Sequence, residues 1–451
     1  MGVTKLLSIF SPEECWLTRE ECWAYGYDNS TQHAVPDAVI LPSNSNQIVP
    51  AIRLCHDEHI PFTARGRGTN TTGATVPVHG GVVCAMEKIN RILEINPADR
   101  YMVVEPGITN QEVQLAAKKH GFFWPPDPTS SAYCTIGGNL ACNAGGPRAI
   151  KYGTTRDNVL GLKAITGNGA NIKTGTYTTK SSVGYDLTRL LIGSEGTLAV
   201  ITEATLALTP LPEKTTTLAA YYQDIETATM AIARIMAQPA RPSMLEFIDT
   251  HCLRLIGEPS KAQAMLLIEI ENDTKAIEQA AKNSGLMRID IARTEEEIKA
   301  LWKSRKALSP ALKKIAPKKI NEDIVVPVSH IPHLLKTLDA YAHAFDIPIV
   351  CFGHAGNGNI HVNLLIQPEQ IATAEACLDQ IFTLVLSLRG SLSGEHGIGL
   401  MKRAFMSREI DPVTLNLMQA IKQQFDPHGI LNPGKLFSPH PYTGDLLFRQ
   451  Q

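Results

Sequence analysis

The chain has 451 residues, of which 44% are hydrophobic and 19% charged, and its formal net charge is −2. This length exceeds the roughly 250–300 residues at which a single hydrophobic core stops growing, so two or more domains are expected. The composition excludes a disordered chain, and the near-neutral charge argues against a nucleic-acid-binding protein.

Short apolar runs bounded by turn residues predict strands in the first half of the chain, with amphipathic helices between them. The predicted strands are DAVILP, IPFTARG, GGVVCAM and YMVVEPG, followed by NVLGLKAIT and LAVITEATLAL. The predicted helices cover residues 44–59 and 111–120. A proline-rich break, TPLPEK at residues 209–214, is the predicted domain boundary.

The second half mixes strands and helices. Strands are predicted at MLEFID and AMLLIEIE, and YYQDIETATMAIARIMAQ predicts a strand followed by a helix. Further helices are predicted at TKAIEQAAKNSG, EEEIKALWKSRKALSPALKKI and EQIATAEACLDQIFTLVLSLRG, and near residues 412–425. This order predicts an α+β domain.

The stretch ARGRGTNTTGA at residues 64–74 places Gly66, Gly68 and Gly73 directly after a predicted strand. Glycines let backbone amides approach anionic oxygens, so the stretch can form a phosphate-binding loop. It matches neither the Rossmann GxGxxG pattern nor a P-loop. A tight glycine turn without a ligand remains the alternative.

A second glycine-rich stretch, at residues 125–162, makes a ligand more plausible. It contains two glycine pairs among small polar residues, namely Gly137, Gly138, Gly145 and Gly146 with Ser130, Thr135, Asn139 and Asn143. Two such loops in one domain suit a long ligand with a pyrophosphate and a flat ring system.

The stretch FGHAGNGNIHVNLL at residues 352–365 brings two histidines close together in sequence. IHVNLL alternates as a strand, so His361 and Asn363 point to one face, while His354 is expected in the preceding loop. A second cluster, SGEHGIG, supplies Glu395 and His396. Two histidines and a glutamate make a plausible site for Zn²⁺ or Mn²⁺. Structural histidines satisfied within the core are the alternative.

Three long motifs resemble one known family. RGRGTNTTG, PPDPTSS…TIGGNLACNAGGPRAIKYG and LIGSEGTLAVITEATLAL are similar to the FAD-binding domain of the vanillyl-alcohol oxidase/p-cresol methylhydroxylase superfamily. The match is to the FAD-linked D-2-hydroxyacid dehydrogenases, which include D-lactate dehydrogenase, the glycolate oxidase flavoprotein subunit and D-2-hydroxyglutarate dehydrogenase.

The resemblance implies an α+β fold with two domains. A two-subdomain FAD-binding domain of the vanillyl-alcohol oxidase type is expected over residues 1–210. An α+β cap domain with an antiparallel sheet, which binds substrate and metal, is expected over residues 211–425. The C-terminal tail, about residues 426–451, is expected to pack near the FAD-binding domain.

The resemblance also implies a set of FAD contacts, with the pyrophosphate on the loop at 65–74 and the isoalloxazine near 126–146. Glu195, Gly196 and Ile201 would line the flavin or adenine region. The other implied FAD-binding residues are Arg65, Gly66, Arg67, Gly68, Thr69, Asn70, Gly73, Ala74, Pro126, Asp127, Ser130, Thr135, Gly137, Gly138, Asn139, Asn143, Gly145, Gly146, Tyr152, Gly153 and Asn432. The first loop has no histidine that could tether the cofactor, so dissociable FAD is predicted, with a tether through a cysteine or the cap domain left open.

The implied reaction is oxidation of a D-2-hydroxy acid to the 2-oxo acid. His354, His361 and Glu395 would bind the metal, and His396 would take the hydroxyl proton. Arg305 would grip the substrate carboxylate, although without the resemblance a solvated position on a basic helix is the simpler interpretation. Asn363 would hydrogen-bond the substrate. A metal-dependent hydrolase and a catalytically silent FAD-binding subunit are the alternatives.

The stretch INEDIVVP at residues 320–327 resembles the lactate and glycolate type. The hydroxyglutarate type tends to carry a lysine here, and Lys318 and Lys319 lie close enough to leave the length of the substrate open.

The remaining expectations concern location and partners. The nine cysteines contain no CxxC pair, which predicts reduced thiols in a cytoplasmic protein and excludes an iron–sulfur run. The N-terminus makes a poor signal peptide, and no apolar run approaches the ~20 residues of a membrane span. Peripheral binding at the inner membrane face is the alternative location. Electrons would pass to a quinone, a soluble carrier, a partner subunit or oxygen, and a homodimer is possible.

Overall fold

The computed structural model describes residues 2–258, 261–272, 274–312 and 316–437. Within these ranges the chain forms two compact units. The first unit comprises residues 2–145, 153–211 and 395–437, and the second comprises residues 146–152 and 212–394.

The strands follow the apolar runs of the sequence. They are β1 (Cys15–Trp16), β2 (Ala38–Ile40), β3 (Phe62–Arg65), β4 (Val82–Ala85), β5 (Ile92–Asn96), β6 (Tyr101–Val104), β7 (Phe122–Phe123), β8 (Val159–Thr166), β9 (Asn171–Gly175), β10 (Ala199–Ala207), β11 (Thr209–Pro210), β12 (Thr215–Tyr222), β13 (Met244–Asp249), β14 (Ala264–Glu271), β15 (Leu286–Ala292), β16 (Lys318–Val325), β17 (Ile349–His354) and β18 (Asn359–Ile366).

Most of the α-helices lie between these strands, and the last three follow the last strand. They are α1 (Arg19–Cys22), α2 (Ile48–Asp57), α3 (Asn110–Lys118), α4 (Ile136–Cys142), α5 (Ala149–Tyr152), α6 (Leu187–Leu191), α7 (Ile225–Met236), α8 (Thr250–Leu255), α9 (Lys275–Ala281), α10 (Glu295–Leu312), α11 (Ile331–Phe345), α12 (Ile371–Ser387), α13 (Met406–Glu409) and α14 (Pro412–Phe425). None of the described helices combines the length and the apolar character that crossing a membrane would need.

The first unit contains two larger sheets, each with its own core, and a two-stranded antiparallel sheet of β7 and β11. A four-stranded sheet of order β1-β2-β4-β3 has parallel pairs around β4, whose four residues are all buried. Continuous apolar strands of this kind are typical of a parallel sheet covered on both faces. A five-stranded antiparallel sheet of order β5-β6-β10-β8-β9 builds the second core.

The second unit is built on a seven-stranded antiparallel sheet of order β15-β12-β14-β13-β17-β18-β16. Residues of α8 and α10 pack with apolar side chains from one face of this sheet, which makes one core of the unit. The prediction of an α+β domain with an antiparallel sheet is therefore confirmed for this part of the chain.

The C-terminal segment differs from the expected division. Residues 395–425 were expected in the second domain, yet they group with the first unit. The physical reason is contact with distant residues of the first unit: Leu400 N–H donates to Thr72 C=O at 2.8 Å, and Ile421 and Phe425 pack against the core around β10. Residues 426–437 also lie in the first unit, whereas the rest of the predicted tail, 438–451, lies outside the described residues.

Candidate functional site

The two glycine-rich loops of the first half come together in the first unit. A Cβ atom added at Gly66 would lie 2.4 Å from Thr135 Oγ1, so glycine is needed where the loops touch. Asn70 Nδ2 lies 3.3 Å from Cys142 Sγ, which is a second contact between them. Gly68 and Gly73 have φ of +63° and +77°, a region that favours glycine. The sequence patterns therefore meet in one place.

Several predicted cofactor residues hold the second loop in shape. Thr135 caps α4 by accepting a hydrogen bond from Gly138 N–H at 3.2 Å. Asn143 ends α4 with φ +51°, and its Oδ1 accepts from Arg156 N–H and Thr154 Oγ1–H. A Cβ atom at Gly137 would lie 2.8 Å from Pro106 Cβ. These contacts give the loop a fixed backbone.

Asn139 is the exception within this loop. The side chain is 2% exposed, and neither its Oδ1 nor its Nδ2 has a hydrogen-bond partner among the described residues. A buried amide without partners costs about 1–3 kcal/mol for each unsatisfied group. A polar ligand that both donates and accepts hydrogen bonds would remove that cost.

Glu195 joins the GSEGT turn to the segment that carries His396. Its carboxylate accepts from Ile398 N–H at 2.6 Å and Gly399 N–H at 2.8 Å, and its own φ is +51°. Burial raises the pKa of Glu195 to about 7, although these two N–H groups lower it. Asn70 Nδ2 also donates to His396 C=O at 2.9 Å. The backbone around His396 is therefore fixed by residues of the first unit.

Other predicted cofactor residues form hydrogen bonds or ion pairs with residues of the protein itself. Asn432 donates from Nδ2 to Ala74 C=O at 2.8 Å and to Glu195 C=O at 2.7 Å. Arg65 is buried and donates to Thr75 Oγ1, whereas Arg67 is exposed and pairs with Glu87.

Two of the predicted cofactor residues, Gly146 and Tyr152, belong to the second unit. There the Tyr152 hydroxyl donates to the Glu271 carboxylate at 2.7 Å. The remaining predicted cofactor residues lie in the first unit, namely Thr69, Pro126, Asp127, Ser130, Gly145, Gly153, Gly196 and Ile201.

The second unit positions the two predicted metal-binding histidines on one sheet face. The sequence predicted His354 in a loop, and this prediction is wrong. His354 is the last residue of β17 and lies directly opposite Asn359 of β18. Because Asn359 and His361 are two residues apart on β18, His354 and His361 share a face. Their ring centroids are 5.3 Å apart.

Glu395 completes the predicted set. It is covalently bonded to Gly394, the last residue of this stretch of the second unit. One ligand atom from each of His354, His361 and Glu395 lies within 4.8 Å of the other two. The backbone next to Glu395 is held by Asp323 of β16, which accepts a hydrogen bond from Gly394 N–H at 2.9 Å. The three side chains have the donor types and the spacing of a divalent metal site.

Asn363 lies on the same face as His361 and is fully buried. Its Nδ2 donates to Val350 C=O at 3.1 Å and His361 C=O at 3.3 Å, while its Oδ1 has no partner in the described part of the chain. The free oxygen can accept a hydrogen bond from a hydroxyl group of a ligand.

Arg305 is not on a solvated helix face, because it is 8% exposed and its guanidinium lies 4.6 Å from the Phe352 ring centre. Nε and Nη2 donate to Glu246 Oε2 at 2.7 and 2.6 Å. Burial raises the pKa of Glu246, but His354 and Arg305 outweigh burial and bring that pKa to about 2. The pair is therefore ionised.

Glu246 and Asp323 are the residues that sequence analysis missed. Both are acidic residues inside strands, at 0% exposure. Carboxylates at such positions are rare without a partner, which is the signal that would have identified them.

Comparisons with known proteins agree with this picture. The family described as FAD linked oxidases, C-terminal domain, matches residues 211–436, and the family described as FAD binding domain matches residues 36–175. The glycolate oxidase subunit GlcD of Bacillus subtilis is 38% identical, with 96% of each chain covered. A D-lactate dehydrogenase of Archaeoglobus fulgidus is 32% identical over 96% of this chain and 98% of the relative.

A D-2-hydroxyglutarate dehydrogenase of Stutzerimonas stutzeri is 31% identical over 97% of this chain and 98% of that relative. Among solved structures, p-cresol methylhydroxylase superposes with a TM-score of 0.79 over 96% of each chain at 16% identity. That likeness concerns the fold alone, and it confirms the predicted fold class.

Proposed function

The chain belongs to the family of FAD-linked oxidases, and from that membership we propose that it uses FAD to oxidise a D-2-hydroxy acid to the 2-oxo acid. The family resemblance predicted from the motifs is confirmed. Relatives that cover nearly the whole chain are named for glycolate, D-lactate and D-2-hydroxyglutarate. All three compounds carry a hydroxyl group next to a carboxylate. We therefore assign this chemical class to the substrate.

The convergence of His354, His361 and Glu395 within 4.8 Å is the observation that supports a metal in this reaction. Two imidazole nitrogens and one carboxylate oxygen suit Zn²⁺ or Mn²⁺, and three protein ligands leave coordination positions for a substrate. When bound, such an ion would lower the pKa of a hydroxyl group that it contacts.

The first unit supports the proposed FAD site. Gly68 and Gly73 let the first loop adopt a left-handed backbone, in which successive N–H groups can face an anion, and the unsatisfied amide of Asn139 fits a polar ring ligand. When bound, FAD accepts the hydride that leaves the substrate. We propose dissociable FAD, because the first loop has no histidine that could tether the cofactor. Burial raises the pKa of Cys142 to about 12, which disfavours a thiolate at this position.

The protein side chains have three proposed tasks. Asn363 Oδ1 accepts a hydrogen bond from the substrate hydroxyl. Arg305 uses two of its five N–H groups on Glu246 and keeps others for the substrate carboxylate. His396, on a segment fixed by Glu195 and Asn70, takes the hydroxyl proton.

The alternatives explain less of the chain. A metal-dependent hydrolase would leave two observations unexplained, namely the two glycine-rich loops and the match of residues 36–175 to the FAD binding domain family. A catalytically silent FAD-binding subunit would leave the cluster of His354, His361 and Glu395 unexplained. Because one relative is named a subunit, we propose a partner subunit as the electron acceptor, with a quinone or a soluble carrier as the alternatives. We propose that the reaction takes place in the cytoplasm.

The test is anaerobic addition of D- and L-2-hydroxy acids to the purified yellow protein. We expect D-lactate, glycolate or D-2-hydroxyglutarate to bleach the flavin absorbance, and L-enantiomers to act far more slowly. A protein that purifies without flavin and binds none when FAD is added would support the hydrolase instead. A flavoprotein that no 2-hydroxy acid reduces would support the silent subunit.

A further inference from the structure

Glu246 occupies a position where a charge is costly. It lies in β13, the central strand of the seven-stranded sheet, and is 0% exposed. Its cross-strand neighbour is Leu267, and Leu245 and Phe247 flank it in sequence, all of them buried. Removing an ionised carboxylate from water costs several kcal/mol unless partners compensate. A purely structural strand would place an apolar residue here.

The two oxygens of Glu246 contact two different predicted site residues. Oε1 lies 2.5 Å from Nδ1 of His354, and Oε2 accepts from Nε of Arg305 at 2.7 Å. The carboxylate thus bridges one proposed metal ligand and the proposed anchor for the substrate carboxylate.

The contact with His354 fixes which ring nitrogen carries the proton. A carboxylate only accepts hydrogen bonds, so Nδ1 of His354 must be the donor. A metal binds Nε2 only when that nitrogen carries no proton, so His354 would bind metal as the neutral tautomer with its proton on Nδ1. Since Nδ1 is occupied, Nε2 is the ligand atom that His354 can offer toward His361 and Glu395.

We propose that Glu246 is a positioning residue that sets the metal ligand and the substrate anchor together. It holds His354 as the tautomer that binds metal, and it holds Arg305 with its remaining N–H groups available. This inference rests on the proposed metal site. It goes further by predicting that one buried carboxylate controls both metal affinity and substrate affinity, although it touches neither.

The first test compares Glu246→Gln with Glu269→Gln in the purified flavoprotein. Glu269 is a matched control, because it is a buried glutamate on the neighbouring strand β14 and its Oε1 accepts from Ser243 Oγ instead. Mn²⁺ binding is measured by electron paramagnetic resonance titration. We expect the Kd for Mn²⁺ to rise about 10–100-fold in Glu246→Gln, the range typical of lost outer-shell partners, and to stay unchanged in Glu269→Gln.

A second readout separates positioning from a general loss of packing. At saturating Mn²⁺ the rate of Glu246→Gln should recover, while its KM for the hydroxy acid stays raised several-fold because Arg305 has lost an ionic partner. If Glu246→Gln does not fold, Glu246→Asp is measured in its place. We expect the same changes in Kd and KM, since the shorter aspartate side chain cannot reach both His354 and Arg305. Wild-type Mn²⁺ affinity in a folded Glu246 variant would overturn the inference.

His354→Ala distinguishes this failure from failure of the proposed metal site. If His354→Ala binds Mn²⁺ as tightly as the wild type, the metal site itself is wrong. If His354→Ala loses Mn²⁺ and Glu246→Gln keeps it, only the role of Glu246 is wrong.

Discussion

His354 and His361 stand on adjacent strands with their ring planes crossed at 83° and their centroids 5.3 Å apart. Rings in this relation do not stack on each other, so each can direct a nitrogen to a common point. The hairpin of β17 and β18 sets this relation through the pairing of His354 with Asn359. Because the site depends on strand register, substitutions at His354, at His361 or in the turn between them should weaken metal binding.

Replacing His361 with alanine should remove the metal and leave the flavin. We expect metal content to fall to background and the rate of flavin reduction to drop about 100-fold or more, because metal assistance contributes several kcal/mol. His343→Ala is the control, since His343 is an exposed histidine on α11 of the same unit. Metal analysis and stopped-flow absorbance measure the two effects. Equal metal content in both variants would contradict the assignment.

The turn between the two histidine-bearing strands should tolerate no side chain at Gly358. This residue has φ +75°, and an added Cβ atom would lie 1.8 Å from Val326 C=O. Gly358→Ala should therefore combine left-handed strain, about 1–2 kcal/mol, with a backbone clash. Gly257→Ala, at φ +73° with open space around it, carries the strain alone. Urea unfolding should show the larger loss for Gly358→Ala, and equal losses would argue against the clash.

Asn139→Ala should weaken FAD binding without destabilising the apoprotein. The substitution removes an amide whose two polar atoms lack partners among the described residues, so the folded apoprotein loses no hydrogen bond. Flavin release on dilution should become faster. Asn432→Ala is the opposite case, because it breaks the bonds to Ala74 and Glu195 and should destabilise the apoprotein by about 1–3 kcal/mol. A clear stability loss in Asn139→Ala would be inconsistent with a ligand-binding amide.

The stability of the protein should fall as pH rises toward neutrality, and Glu195 should cause part of that fall. Burial raises the pKa of Glu195 from 4.5 to about 7. The folded state therefore keeps a proton that the unfolded chain has lost. The stabilisation that results is complete below about pH 4.5 and disappears as pH rises through about 7.

Over this window the change amounts to about 3 kcal/mol at most. Glu195→Gln should show a flatter pH dependence of the free energy of unfolding between about pH 5 and 7.5. Identical slopes for the variant and the wild type would show that Glu195 does not titrate in this range.

The sequence predicted the parts of the site that depend on local pattern. Alternation along IHVNLL placed His361 and Asn363 on one face, and the glycines at 66, 68 and 73 marked a loop that does adopt left-handed backbone. These features follow from side-chain period and from the steric freedom of glycine.

The parts that depend on distant pairing could not be read from the sequence. Glu246 precedes His354 by 108 residues and Arg305 by 59, and only the strand order and the helix that covers the sheet bring them together. The same limit applies to residues 395–425, which were predicted in the second domain and group with the first unit, since the hydrogen bond from Leu400 to Thr72 spans more than three hundred positions.

The proposed metal site is tested most directly by flavin reduction with a D-2-hydroxy acid in protein stripped of metal by a chelator and dialysed. We expect that the protein stays yellow and that anaerobic reduction slows about 100-fold or more. Adding Mn²⁺ or Zn²⁺ should restore the rate in the wild type but not in His361→Ala. An unchanged rate of flavin reduction after metal removal would contradict the role proposed for His354, His361 and Glu395.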